Sequence, residues 1–356
     1  MRKFTIAIFI ILLFIVCSKI CLASLTLTSP TTRQVVQRNS DNFAQVQISG
    51  EISGGVDRIE ARAFVMAYGS GQSVSWTKVA GKTKNGVFSG KLRLSAGGWY
   101  RIEIRAIKSS EIVESTAVEK VGVGEVFVTA GQSNSTNYGF PKTTPVEDRV
   151  SAWNGKEWQF AADPQPIASD DSSRNGSPWP SLGDQLVQRL DVPIGLISTG
   201  WGGSAVSQWN SDGTLYPRMG NALRYLGKNS ERAVLWHQGE TDMVLGTSTE
   251  LYMKLMRSLI DQSRKDASWD VPWVIAGVSF MPSQQFGTEL APKMKAVREA
   301  QRRLADDESI YKGPTTDNMV GPGWRSDTVH FNEKGLKEHG RRWADVLMKT
   351  FFDKVE

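Results

Sequence analysis

The stretch VFVTAGQSNSTNYG, residues 126–139, runs from an apolar segment straight into glycine and serine with no polar spacer. Val126, Phe127 and Val128 have the β-branched and aromatic character of a buried strand. Gly131-Gln132-Ser133-Asn134 ends that strand abruptly. Ser133 is therefore either a turn residue leading into a helix or a nucleophile held at a strand end.

Downstream of this point strand-like and helix-like runs alternate. EVFVTA, PIGLIST, RAVLWHQ and PWVIAGVSF read as strands, and PSLGDQLVQRL, ELYMKLMRSLIDQSRK, KMKAVREAQRRLA and EKGLKEHGRRWADVLMKTF read as helices. Such alternation predicts an α/β unit over residues 123–356, a parallel sheet covered by helices on both faces. Functional groups in these sheets gather beyond the carboxyl ends of the strands. Upstream, residues 24–122 read as all-β. FAQVQISGEI, RIEARAFVMAY, SVSWTKVA, GVFSGKLRLS and WYRIEIRAI carry period-two stretches split by Gly, Ser and Asn turns. A small immunoglobulin-like sandwich is expected there, as a structural or accessory wall.

The first 23 residues form a separate element. Arg2 and Lys3 precede an almost wholly apolar run, Phe4 to Val16, and Cys21-Leu22-Ala23 ends in a small residue. That is the layout of a secretory signal peptide, short for a membrane span of roughly 20 residues, with a retained membrane anchor as the weaker reading. A secreted or periplasmic protein, with no membrane span in its mature chain, is the expectation. Both cysteines, Cys17 and Cys21, lie in the leader, so the mature chain would be held by its core alone. Removing Arg2, Lys3 and Lys19 lowers the formal charge from +5 to +2, which argues against a nucleic-acid partner.

A serine hydroxyl needs a base, and the chain has 3 histidines. His339, in KGLKEHGRRW, is expected on the solvated side of a helix, and His237, in LWHQGETD, is open to core or site. His330 closes RSDTVHFNEKG with Asp327 three residues earlier. An Asp-x-x-His turn lets the carboxylate accept from Nδ1 while Nε2 faces outward; the alternative is an aspartate that caps the next helix. Donors for a tetrahedral oxyanion are offered by Gly202-Gly203 after PIGLIS and by Gln238 after RAVLW, unless these are a tight turn and a satisfied polar residue. Residues 200–205 match G-x-G-x-x-A, but no acidic residue follows near twenty positions on, so a dinucleotide site is not expected. Asn134-Ser135-Thr136 matches a glycosylation sequon that overlaps the serine turn. With scattered histidines and no cysteine outside the leader, no metal site is expected.

Taken in order, GQSN at 131–134, GWGGS at 200–204, HQGETD at 237–242 and DTVH at 327–330 resemble the SGNH (GDSL-type) hydrolase superfamily. Within it the chain is similar to the sialate O-acetylesterase and acetylxylan esterase group, whose members carry Gln in place of the Asp of the GDS block. The resemblance covers roughly residues 122–348. It implies a three-layer α/β/α, flavodoxin-like catalytic domain, often with an appended β-sandwich, and no cofactor. It also implies Ser133 as nucleophile, His330 as base and Asp327 as its orienting carboxylate. The oxyanion hole would be the backbone N–H groups of Ser133 and Gly203 with the Gln238 amide, Gly202 being the substitute if the turn is offset by one.

Three positions depart from relatives. Ser204 and Ser207 stand where Thr and Glu are frequent, and Ser135 where Met often follows GQSN. The expected substrate is an acetylated sugar or polysaccharide, sialic acid or xylan-type, deacetylated through an acyl-enzyme. Asn134, Trp201, Ser204, Trp209 and Glu240 are candidate substrate contacts, and Glu240 with Asp242 could instead support the site by hydrogen bonding. The 12 tryptophans suit stacking on sugar rings as well as plain core packing. A lipid- or thioester-directed esterase and a non-catalytic glycan-binding protein are the competing readings.

Overall fold

The apolar run before Ser133 is the last third of a much longer strand. The structure, a computed structural model, describes residues 24–83, 85–168, 175–282 and 290–353. The expected leader, residues 1–23, lies outside them. In chain order the strands of the first part are β1 (Leu25–Ser29), β2 (Val35–Gln37), β3 (Phe43–Ile52), β4 (Arg58–Ser70), β5 (Val74–Ala80), β6 (Val87–Ser95) and β7 (Gly97–Lys108). Strand β8 (Glu111–Gly131) follows and belongs to both parts of the molecule.

Strands β1, β3 and β6 form one antiparallel sheet. Facing it, β5, β4, β7 and the first half of β8 pair antiparallel, and β2 adds to β8 in parallel. Val46, Ile48 and Leu92 from the first sheet share a core with Ile59, Ile102 and Ile104 from the second. Period-two alternation in β3 and β4 supplies these inward residues while leaving polar side chains on the other face.

After β8 come β9 (Val150–Trp153), β10 (Trp158–Phe160), α1 (Trp179–Leu190), β11 (Ile194–Ser198) and α2 (Tyr216–Leu226). These are followed by β12 (Ala233–His237), α3 (Glu240–Leu245), α4 (Thr249–Ala267), β13 (Trp273–Ile275), α5 (Leu290–Leu304), β14 (Ile310–Lys312) and α6 (Glu333–Leu347). The sheet order is β10-β9-β11-β8-β12-β13-β14, parallel except for the β10 edge. Helices α2, α4 and α5 cover one face, where Met219, Met256 and Val297 pack on Val126, Val128 and Trp236. Helices α1 and α6 cover the other, where Trp179, Leu182 and Trp343 pack on Phe127 and Leu196. With both faces covered, the second half of β8 has no polar side to show, and its sequence is apolar apart from the buried Glu125 and Thr129.

No linker separates the two parts, because the boundary expected near residue 122 falls inside β8. Glu125 sits at that passage, fully buried, and is gripped by three side chains. Arg38 reaches it at 2.5 Å, Arg232 at 2.7 Å and Gln37 at 2.9 Å. Both guanidinium groups also lie over the Phe352 ring. A buried carboxylate held this way is costly to unpair, on the order of 3–5 kcal/mol. Among the described residues, no helix is long and apolar enough to cross a membrane.

Candidate active site

Parallel register brings the ends of β8, β11 and β12 side by side, at Gly131, Ser198 and His237. Gly131 adopts φ 129°, and a Cβ there would lie 2.1 Å from the His237 carbonyl oxygen, so glycine is required for the sharp exit. The chain then makes a single 3₁₀ turn, Ser133–Ser135, with Ser133 as its first residue. Backbone bonds tie the neighbouring blocks to this exit: Gln132 N–H donates to His237 O at 3.0 Å and Trp201 N–H to Gly131 O at 2.9 Å.

Ser133 opens into a pocket of about 530 Å³. Gly202 and Gly203 form one side, Glu240, Thr241 and Val244 another, and Asp327, Val329 and His330 close it, with Tyr138 and Met281 between. Every lining residue comes from the α/β unit, so among the described residues the sandwich contributes no wall. His330 Nδ1 lies 2.7 Å from Asp327 Oδ2, and Tyr138 packs on the His330 ring at 5.1 Å. The other carboxylate oxygen, Oδ1, accepts from the N–H groups of His330 at 2.7 Å and Val329 at 3.1 Å. Thr328 adopts φ 74° to close this turn, a strained conformation for a β-branched residue. Burial alone would raise the Asp327 pKa, but hydrogen bonds from the His330 ring and from the two backbone N–H groups prevail and hold it below the ordinary value.

Asp327 does not cap the last helix. That task falls to Asn332, whose side chain accepts from Gly335 N–H at 3.0 Å. Arg325 supports the turn from beneath, donating to Met319 O at 2.7 Å, to Ser279 Oγ at 2.8 Å and to Val329 O, with its guanidinium over the Phe331 ring. Burial pushes its pKa down to about 10. Among the described residues, the N–H groups of Ser133 and Gly203 have no protein acceptor, and both residues line the pocket. Gly203 holds φ 64°, and a Cβ on Gly202 would lie 2.4 Å from the Tyr138 hydroxyl. No hydrogen bond joins the Ser133 hydroxyl to the His330 ring; such contacts commonly tighten only when substrate is bound.

Several expected contacts sit elsewhere. Trp209 is fully buried, edge-on to Trp236, and its Nε1 donates to Ser204 Oγ at 3.0 Å. Ser204 is buried and in turn donates to Trp201 O. Trp201 packs under the Arg218 guanidinium at 4.7 Å and is not part of the pocket wall. Asn134 is buried too, and its Nδ2 donates to Glu240 Oε1 at 3.1 Å, so it braces a pocket residue instead of lining the pocket. Of the five candidate substrate contacts, Glu240 alone lines it.

Gln238 is fully buried, and its amide nitrogen contacts Asp242 Oδ2 at 2.6 Å, Ser204 O at 2.9 Å and Gln132 Oε1 at 3.2 Å. Two N–H bonds facing three acceptors leave none for an oxyanion. His339 is not solvated. It is fully buried, with its ring edge-on to His237 at 4.8 Å. Burial drives both pKa values down, and so both imidazoles are neutral. Gln132, Tyr138, Met281 and Arg325 are site residues the sequence did not single out. Arg325 had a signal, being a cation two residues before Asp327 in a segment otherwise short of charge partners.

The α/β unit is a doubly covered parallel sheet with serine and glycine loops at its carboxyl edge, the arrangement that the resemblance to SGNH-type hydrolases implies. Residues 123–349 match the family described as carbohydrate esterase, sialic acid-specific acetylesterase, and the chain belongs to that family. A probable carbohydrate esterase of Arabidopsis thaliana is 26% identical over 165 residues, 40% of this chain and 64% of that relative, so the match spans under two thirds of its length. Among solved structures, a carbohydrate acetylesterase from Xanthomonas citri aligns over 91% of this chain and 74% of its own, at 18% identity and TM-score 0.57. An Arabidopsis thaliana protein aligns over 64% of this chain and 98% of its own, at 21% identity and TM-score 0.53. At these identities the two structures speak for the fold.

Proposed function

We propose that the protein is a serine esterase that removes O-acetyl groups from carbohydrates through an acyl-enzyme. The observation that carries this reading is the Asp327–His330 pair at 2.7 Å, on the wall of the pocket into which Ser133 and the unpaired N–H of Gly203 also open. Ser133 Oγ attacks the acetyl carbonyl carbon while its proton passes to His330 Nε2, and Asp327 stabilises the imidazolium. The N–H groups of Ser133 and Gly203 donate to the oxygen that becomes negative. Collapse breaks the ester bond, and His330 returns its proton to the departing sugar oxygen. Water then attacks the acetyl-serine, giving its proton to His330, and acetate leaves as Ser133 is reprotonated.

Family membership supports an acetylated sugar as substrate, sialic acid or xylan-type glycan. Acetate release from acetylated xylan and from O-acetylated sialic acid, with wild type beside Ser133→Ala, tests the reading. Loss of release in the variant is expected; an undiminished rate would contradict the mechanism. The basic and apolar leader supports export to the periplasm or medium, which N-terminal sequencing of the mature protein would check.

A further inference from the structure

We propose that Gln132, the residue before the nucleophile, supplies the side-chain donor of the oxyanion hole. This rests on the esterase reading above. Gln132 is 4% exposed, and its side-chain oxygen is fixed by what it receives. The N–H of Gly239 donates to it at 3.2 Å, that of Thr241 at 3.1 Å and the Gln238 amide at 3.2 Å. An amide nitrogen cannot accept from backbone N–H groups, so the atom among these donors is Oε1 and the other terminal atom is Nε2.

Among the described residues Nε2 has no acceptor. Gln132 also lines the pocket beside Ser133 and Gly203, so its nitrogen is a side-chain donor free at the pocket wall next to the nucleophile. Gln238 cannot take this part, since Asp242, Ser204 and Gln132 already claim its nitrogen and its Oε1 accepts from the Tyr252 hydroxyl at 2.9 Å. The two glutamines thus form a relay. Gln238 holds the Gln132 oxygen, and Gln132 turns its nitrogen to the reacting carbonyl. A donor locked on its far side before substrate arrives needs no reorganisation as charge develops.

Gln132→Glu tests this, because a carboxylate keeps an oxygen for Gly239, Thr241 and Gln238 and replaces only the pocket-facing donor. On an acetylated sugar kcat should fall by about 10²–10³-fold with KM within about threefold. Affinity for a phosphonate that mimics the tetrahedral intermediate should fall in proportion to kcat. A variant with kcat within threefold of wild type, or one that raises KM alone, overturns the proposal. Should Gln132→Glu not fold, wild-type protein labelled with ¹⁵N-glutamine decides. One side-chain amide pair should move downfield when a phosphonate occupies Ser133, and unchanged glutamine amides would overturn the assignment. Inertness of wild type toward both acetyl esters and phosphonate would instead overturn the esterase reading, and this proposal with it.

Discussion

Replacing Asp327 with asparagine separates the chemistry of the site from its architecture. The Asp327 carboxylate makes three bonds: Oδ2 to His330 Nδ1 at 2.7 Å, and Oδ1 to two backbone N–H groups at 2.7 and 3.1 Å. Asparagine keeps an oxygen for the two backbone donors, so the turn around Thr328 stays closed. Its amide nitrogen then faces His330 Nδ1 and can only donate. The imidazole is forced into the tautomer with its proton on Nε2, which cannot accept from Ser133. The Asp327 side chain is 55% exposed, and exchanging a charged for a neutral acceptor there should cost at most about 1 kcal/mol of stability. The loss of base function should be of the order of 10⁴ in kcat, equivalent to about 5.5 kcal/mol of activation free energy. The two effects therefore differ by several-fold and can be read on the same preparation. Initial rates on an aryl acetate give kcat, and urea unfolding gives stability. Because the Asp327 pKa is held below its ordinary value, the residue stays ionised down past about pH 3.9, the ordinary aspartate value, and does not set an acid limb at higher pH. A variant that unfolds like wild type and keeps more than a tenth of its kcat would refute the assignment of Asp327 and His330.

The remaining predictions concern the supports of the site. Gly202→Ala drives a methyl to within 2.4–2.5 Å of Tyr138, which packs on His330, and should cut kcat strongly. Gly203→Ala meets no atom within 4 Å and strains only the backbone, by about 1–2 kcal/mol, so it should cost less activity; the opposite ranking in a paired rate assay would contradict the pocket geometry. The folded-state pKa values of His237 and His339 lie below that of an unfolded histidine, about 6.5, so the unfolded chain binds protons the folded one refuses. Their contribution is intact above pH 6.5 and is lost as pH falls below it, by up to about 1.4 kcal/mol per pH unit per histidine. Urea unfolding between pH 7 and 5.5 should show a shallower decline for His339→Phe than for wild type; equal slopes would contradict it. Glu125→Ala strands Arg38 and Arg232 at the passage between the two parts and should lower stability by about 3–5 kcal/mol; a urea midpoint close to wild type would show that the cluster carries no such weight.

Much of this architecture was legible because burial leaves a mark on sequence. Val126, Phe127 and Val128 are apolar without alternation because helices cover both faces, and FAQVQISGEI alternates because one face is open. The single strand spanning Glu111–Gly131 was not legible for the same reason. Its period changes midway as one open face becomes two covered ones, and a change in burial reads like a change of element. The burial of His339 is masked in the sequence by its charged neighbours Lys337, Glu338 and Arg341. Its spacing from Leu336 and Trp343 nonetheless puts it on the buried face. Ser133, His330 and Asp327 stood out because a nucleophile, its base and an orienting carboxylate require those residue types, and all three line one pocket. That Gln132 lines the pocket while Gln238 is buried behind it did not, since it depends on the hydrogen bonds that Gln132 receives from Gln238, Gly239 and Thr241.

The most direct measurement of the central claim is to trap the acyl-enzyme. Brief incubation with an aryl acetate at low pH, followed by proteolysis and mass spectrometry, should find the acetyl group on the peptide containing Ser133. A phosphonate should label the same residue and abolish acetate release. Acetylation elsewhere, or continued release of acetate from a protein fully blocked at Ser133, would contradict the account.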